Sequence, residues 1–526
     1  MSHPEIEPGF IVLHGDRLEW LGDAVLEWLR EHPLRPLEEE IFLVQSNGVA
    51  EWLQWTLAAH EGICAAVRVA LPGRFLWESY GRVLGTSIVS ARSPLDKAPL
   101  TWRLMRLLPE LLSHADFTPL RHFIGQSQRP DGALERRWQM AAQIADLFDQ
   151  YQVYRGDWLA DWATDQSLLR RGDGERVTLP ADQRWQPRLW QALRQNLHSR
   201  EQGQALGRAQ VHDRFLAALN AGRPPATSLP RRVILFGAAT LPEQSLTALA
   251  ALGQQMQVIL AVPNPCRYHW ADIASGRELL KRERRRQSPR NGHDLSATAA
   301  EDLHQFGNPL LAAWGRQGRD FLNLLDQFDE TAALQQQMDI PRIDLFSEGQ
   351  GKTLLRQLQV QIRDLEGISP ETCTALDDND HSVVFHIAHS ALREVQILHD
   401  QLLGRFATGK LQPRDLIVMV PEIGSFAPLI RATFDQYDRE DRRYIPYHIV
   451  DLQARDEQPL LQALDWLLRL PEQRCRQSEI RDLLNCPALR QRFGLELEDL
   501  PIVQHWLAGA GWRWGLSAEQ RAALGM

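Results

Sequence analysis

The chain has 526 residues, 44% of them hydrophobic and 24% charged, with a formal net charge of −9. Domains usually run to roughly 100–200 residues, so two or three separate cores are expected. The acidic balance argues against a wholly basic nucleic-acid binder, although a local patch can still hold phosphate, and no apolar run reaches the roughly 20 residues that a membrane span needs.

The N-terminus, "MSHPEIEPGF", has acidic residues and no basic segment ahead of its short apolar run, so it does not read as a secretory signal. The cytoplasm is the expected compartment. "FIVLHG" (10–15) predicts a strand, followed by helical spacing through Leu18, Leu21, Val25 and Leu29. "FLVQSNGVAEWLQWTL" (42–57) begins as a second strand, breaks at Gln-Ser-Asn-Gly, and resumes as a helix with the stripe Val49, Trp52, Leu53 and Leu57. Such a break gathers amides, a hydroxyl and free helix N–H groups, which suits either a phosphate ligand or plain helix capping.

From about residue 94 to 222 apolar residues recur at helical spacing, which reads as an all-helical insertion. Within it, "LERRWQMAAQIADLFDQYQVYRGDWLADW" places Trp138, Phe148, Tyr151, Tyr154, Trp158 and Trp162 where helical core is expected ahead of a base-stacking platform. "RVILFGAAT" and "VILAVPNP" are short unalternating apolar runs, typical of parallel strands covered on both faces, and "PEQSLTALAALGQQ" between them reads as a helix. This βαβ rhythm places the first domain in the α/β class with an open parallel sheet.

A polar stretch follows from 276 to about 375, and its basic run "KRERRRQSPR" (281–290) reads as a solvated loop ahead of a dedicated DNA contact. A new unit then begins, with "SVVFHIAHS" a strand and "ALREVQILHDQLL" a helix striped by Leu392, Val395, Leu398 and Leu402. "LQPRDLIVMVPE" is the next strand, which makes a second βαβ unit. After Pro471 the pattern turns helical, and "SAEQRAALGM" offers no terminal element, as expected of a piece of a longer protein.

Catalytic motifs are missing. The five cysteines lie far apart and form no CxxC pair, which argues against a metal or disulfide framework. Gly351-Lys352-Thr353 matches the tail of a phosphate-binding loop, but Phe346 stands where that loop needs glycine, and "RIDLF" before it is a poor buried strand. The loop after the first strand, "LHGDRLEW", has one glycine and no lysine. "LDDND" (376–380) reads as a solvated linker, and His386 and His389 read as one core-facing and one loop imidazole. The expectation is an enzyme-shaped scaffold without an enzyme's residues.

The strings "LVQSNGVAEWLQWTL", "LPGRFLWESYGRVL", "ADLFDQYQVYRGDWLADW", "NPCRYHWADI", "GNPLLAAWGRQGRDFLNLL", "HSALREVQILHDQLL" and "QPLLQALDWLL" resemble, in order, the RecC family, the gamma subunits of exodeoxyribonuclease V. The resemblance runs from about Phe10 to Trp514 and implies the N-terminal half of such a protein. It implies superfamily-one helicase-like parallel-sheet domains with a large all-helical insertion and no motor motifs. The implied layout is residues 1–90 and 226–345 as two parts of a first α/β domain around an insertion at 91–225. A linker (346–380), a second α/β domain (381–470) and a further helical segment (471–526) follow.

The implied function is that of a non-catalytic DNA-binding subunit in a three-subunit helicase–nuclease acting in double-strand break repair by homologous recombination. It splits duplex DNA, channels the 3′-ended strand and recognises the Chi hotspot as single-stranded DNA. The implied partners are DNA, a RecB-like helicase–nuclease and a RecD-like helicase, with ATP and magnesium used by those subunits and no cofactor in this chain. The implied Chi-reading positions are Gln45, Asn47, Glu51, Leu71, Trp77, Asp146, Leu147, Asp149, Arg155 and Arg208.

The chemistry suits these positions: an amide such as Gln45 reads a base edge, and Trp77 offers a stacking face. Arg155 and Arg208 can hold phosphate or guanine, while Asp146 and Asp149 accept from exocyclic amines or orient the arginines. Each also has a plainer reading, with Trp77 as core, Asp149 as a helix-surface acid, and both arginines solvated or paired with carboxylates. The family pattern has threonine and glutamine where this chain has Asn47 and Glu51, and a carboxylate neither donates to a base acceptor nor tolerates phosphate. A different Chi sequence or strength of recognition is expected. The remaining alternatives are a purely structural clamp that reads no sequence, and an ATPase using Gly351-Lys352-Thr353.

Overall fold

The computed structural model describes residues 6–90, 93–125, 132–171, 174–200, 207–268, 270, 308–328, 345–349, 351–367, 375–450, 452 and 458–523. The basic run at 281–290 lies outside them. The chain forms two compact units, 1–383 and 384–526.

In the first unit, strand β1 (Gly9–Gly15) leads into helix α1 (Leu18–Glu31), β2 (Glu40–Leu43) into α2 (Asn47–Glu61), and β3 (Val67–Ala70) into α3 (Pro72–Leu84). A helical excursion then runs through α4 (Lys97–Leu111), α5 (Thr118–Gly125), α6 (Gly132–Tyr154) and α7 (Gly156–Ala163). It continues through β4 (Leu168–Arg170), β5 (Arg176–Thr178), α8 (Trp185–Arg200) and α9 (Arg208–Asn220). The chain returns with β6 (Arg232–Phe236), α10 (Glu243–Gly253) and β7 (Gln257–Pro263). Strands β1, β7, β6, β2 and β3 lie side by side in that order, all parallel.

Successive strand residues point to opposite faces, and both faces are covered. Phe10, Val12, Leu43, Val233, Leu235, Val258 and Leu260 face Phe75 of α3, Phe215 of α9 and Leu246 of α10. Ile11, Phe42, Ile234, Phe236 and Ile259 face Leu21 and Val25 of α1 and Leu53 and Leu57 of α2. This two-sided burial is why the strands read as unbroken apolar runs. A separate helical core joins Leu100 and Leu104 of α4, Ile144 and Phe148 of α6, Trp162 of α7 and Leu189 of α8.

The excursion departs from the all-helical expectation in two ways. Its strands β4 and β5 form an antiparallel pair, with Leu169 opposite Val177. Its last helix, α9, packs into the sheet core through Val211, Phe215 and Leu219. Of the aromatics expected in core, Phe148 and Trp162 are fully buried, but Trp138 and Tyr154 are exposed.

One buried charge ties the amino ends of three central strands. Arg232 is completely buried; it donates to both carboxylate oxygens of Glu40, to the His32 carbonyl at 2.9 Å and to Gln257 Oε1 at 3.5 Å. Its desolvation is offset only by these partners, so their number matters more than the ion pair alone.

The second unit departs further from expectation, because the predicted strands at 382–390 and 411–422 are not there. Helices Ala391–Phe406 and Ile423–Phe434 pack through Val395, Leu402 and Phe434, with Leu416 against them. The flanking apolar residues carry no ladder: Phe385 is 89% exposed, Ile387 96%, Ile417 87% and Met419 89%. A parallel strand forms only beside another strand and under cover on both faces, and among the described residues these segments have no strand beside them and leave their apolar side chains uncovered. Leu392, expected on the buried stripe, is exposed, as are His386 and His389, so neither imidazole faces a core. Among the described residues no helix is long and apolar enough to cross a membrane, and no cluster of three His, Cys, Asp or Glu side chains could hold a metal.

These packing differences are open to measurement. Glu40→Ala should cost about 3–5 kcal/mol in urea unfolding by stranding a buried guanidinium, while Glu40→Leu with Arg232→Met should cost far less. In hydrogen exchange, the amides of β6 and β7 should be the slow ones and those of 384–388 and 417–420 should exchange almost unprotected. Slow exchange at 384–388 would refute the description of those residues as unladdered.

Candidate nucleic-acid interface

In open parallel sheets, ligands meet the carboxyl ends of the strands, where the connecting loops emerge. Strands β2 and β3 end together, with Leu43 opposite Ala70 and the Val44 N–H donating to the Ala70 carbonyl at 3.1 Å. Gln45 and Leu71 are therefore the first loop residues on one shared edge. Gln45 is exposed, and its amide donates to the carbonyl of Thr240 in the loop after β6, the next strand.

The polar break itself is a helix cap. Ser46 is the N-cap of α2, and its Oγ accepts from the Val49 N–H at 3.3 Å. Asn47 is the first helical residue and is exposed, and Glu51 lies one turn further on the same helix, half-buried. Capping uses the serine and leaves the Gln45 and Asn47 side chains at the surface.

Leu71 precedes α3 and is 51% exposed. Trp77 is half-buried; its Nε1 donates to the Ser90 carbonyl at 3.0 Å and its ring meets Tyr80 edge-on at 6.0 Å. Tyr80 in turn reaches α9, where its hydroxyl lies 2.9 Å from His212 Nδ1 and its ring 4.6 Å from that of Phe215. Burial raises the Tyr80 pKa and lowers that of His212, so a neutral pair sits in this core.

One turn before His212 on α9 stands Arg208, and here the second group of positions is gathered. Arg208 donates to Asp96 at 2.6 Å and lies 3.3 Å from Asp149 of α6. Burial pushes the Asp149 carboxyl up; Arg208 opposes this, while Asp96 and Asp146 add to it. Asp146, one turn earlier on α6, is held by Lys97 at 2.5 Å, and that hydrogen bond and charge lower its pKa. Leu147 between them is half-buried. Asp96 and Lys97, at the start of α4, thus complete a network that sequence reading missed. The only local signal was an acid before a helix, because the partners lie far along the chain.

Arg155 is not part of that network. It pairs bidentately with Asp157 at 3.0 and 2.8 Å, donates to the Arg170 carbonyl and lies 3.8 Å over the Trp158 ring. Arg155 follows the last residue of α6 and is the N-cap of α7 with a non-helical backbone, so the helical spacing that brings Asp146 and Asp149 one turn apart does not extend to it. All its groups serve the junction between α6, α7 and β4.

The phosphate-loop remnant is also placed. Leu345 bridges Gly15 in parallel at the sheet edge, and Thr353 caps the helix Leu354–Arg363 by accepting from Arg356 N–H at 3.3 Å. The next helix amides are occupied: Leu354 N–H donates to Asp380 at 2.7 Å and Leu355 N–H to Ser382 Oγ at 3.1 Å. The amides of Leu354 and Ser382 hold the Asp380 carboxyl below its usual range. Asp380, expected in a solvated linker, instead fills the position a phosphate would take.

Comparison with known proteins identifies related sequences. A family described as "RecC, N-terminal domain" matches residues 10–365, and one described as "RecBCD enzyme subunit RecC fourth domain" matches residues 457–526. The RecBCD enzyme subunit RecC of Escherichia coli is 38% identical over 96% of the chain and 45% of that protein. That of Haemophilus influenzae is 34% identical over 97% of the chain and 47% of that protein, and that of Mycobacterium tuberculosis 28% identical over 97% and 44%. The chain spans slightly less than half the length of these relatives.

Arg155→Ala should lower the unfolding free energy by about 1–3 kcal/mol, since it strips a bidentate carboxylate, a carbonyl and a stacked indole. Arg208→Ala should cost less than about 1 kcal/mol, as expected of part-exposed ion pairs. Urea denaturation separates the two; equal losses would place Arg208 in the scaffold with Arg155.

Proposed function

The chain belongs to the RecC family, and from that membership we propose that it is the non-catalytic DNA-binding part of a RecBCD-type helicase–nuclease, working beside RecB-like and RecD-like subunits. In this reading it helps to split duplex DNA, channels the 3′-ended strand and reads Chi as unpaired bases. ATP and magnesium act in the partner subunits. The observation that carries the reading is the shared carboxyl edge of β2 and β3, where Gln45, Asn47 and Leu71 emerge together at the surface. Single-stranded recognition fits such an edge, because exposed amides can meet base edges that a duplex would hide.

The arginines divide under this reading. Arg208, between two carboxylates and still part-exposed, is poised to exchange one of them for a phosphate or a guanine edge. Arg155 supports the scaffold behind it. The occupied amides at Leu354 and Leu355 favour an inert remnant over an ATPase, since a phosphate there would have to displace Asp380. Glu51 replaces a neutral amide of the family pattern and is expected to alter which bases are accepted.

A Chi-dependent cleavage assay with the complete three-subunit complex tests the reading. Gln45→Ala and Trp77→Ala should each reduce the Chi response about tenfold or more while leaving unwinding intact, since lost base contacts typically cost about 1–3 kcal/mol. An unchanged response in both variants would leave the structural clamp as the better description.

A further inference from the structure

The second unit contains a concave basic site apart from the positions discussed above. Two segments of its C-terminal helical part are laced by their backbones: Gln477 N–H donates to the Arg513 carbonyl at 3.0 Å, and Gly515 N–H to the Arg474 carbonyl at 2.9 Å. Trp512 Nε1 closes the second segment on itself by donating to the Gly515 carbonyl at 2.7 Å. The placement of the side chains that project from these segments is therefore built by the fold.

Those side chains surround one cavity of about 510 Å³, lined by Arg474, Arg476, Gln477, Ser478, Arg513 and Trp514. Small-ligand sites usually measure roughly 300–1,000 Å³, so the space accommodates one nucleotide unit. Every lining side chain can donate a hydrogen bond, and none is a carboxylate. The Glu479 carboxylate accepts from the Arg476 backbone N–H at 2.8 Å and stands 3.9 Å from its guanidinium, longer than a hydrogen bond, while Arg474 and Arg513 have no carboxylate partner among the described residues. Arg521 adds a further cation 5.6 Å from the centre of the Trp514 ring. A cationic hollow of this kind, in a chain of net charge −9, is matched to an anion. The indole narrows the choice: an acidic peptide would satisfy the guanidinium groups and leave the ring unused, whereas a nucleic-acid strand uses both.

We propose that this cavity is a second contact for single-stranded nucleic acid, with Arg474 and Arg513 on successive phosphates and Trp514 against a base. The contact is sequence-tolerant, because an aromatic face stacks on any base and phosphates carry no sequence information.

The test is fluorescence anisotropy with a labelled oligothymidylate and the full chain, in a background carrying Gln45→Ala and Trp77→Ala so that the first unit's edge does not contribute. Arg474→Gln with Arg513→Gln should weaken binding about tenfold at low salt and flatten the salt dependence by about 1.4, at about 0.7 per phosphate on a single strand. Trp514→Ala should weaken binding by about tenfold, and Trp514→Phe should largely restore it. An unchanged affinity and slope in the double variant would overturn the proposal. So would full displacement by polyglutamate with no effect of Trp514→Ala, which would make the cavity an acidic-peptide site. Failure of Chi reading appears instead in the cleavage assay with residues 45 and 77, and leaves this binding untouched.

Discussion

A parallel strand has no face that can be left to water, and that constraint organises the whole chain. In the first unit it is met: α1 and α2 cover one face of five strands, and α3, α9 and α10 cover the other. Because the connecting helices use up both faces, only the strand ends remain for ligands. The Gln45 and Leu71 loops share their edge for that reason. The same requirement draws α9 back from the helical excursion to the sheet, and this brings Arg208 beside Asp149 and one turn from the Tyr80–His212 contact.

In the second unit the same constraint is unmet among the described residues. The helices 391–406 and 423–434 find each other, but the apolar segments beside them meet no strand and no second helical layer. Their residue types are strand-forming all the same. Local composition proposes a strand, and only a neighbour makes one.

Arginine burial separates structure from potential recognition. Arg232 is wholly enclosed and spends its donors on Glu40, His32 and Gln257, so it belongs to the scaffold. Arg155 is almost as fully engaged, with Asp157, the Arg170 carbonyl and the Trp158 face. Arg208 is part-exposed and pairs with the Asp96 and Asp149 carboxylates alone among the described residues, with no backbone carbonyl or ring to fix it in the scaffold. The remnant at Gly351-Lys352-Thr353 runs the other way, with an internal carboxylate on amides where a phosphate loop would hold its ligand.

The sequence by itself determined the parallel α/β class, the strands at 10–15, 42–44, 233–236 and 258–262, the helix that resumes after the polar break, and the family. Those features are local: two-sided burial leaves unbroken apolar runs, and capping and periodicity act within a few residues. Tertiary structure alone decided the rest. Trp138 and Tyr154 sit at helical spacing yet lie outside the core, and α9 belongs to the sheet, because which helix face is covered depends on partners distant in the chain. The roles of Arg155, Arg208, Asp96 and Asp380 were likewise invisible, since an ion pair is fixed by proximity in space and leaves no periodic trace. The turn after β2 shows both at once: a strand breaking into a helix was legible, but only the structure selects Ser46 as the cap, and the strand edge that Gln45 shares with Leu71 exists only when the sheet is assembled.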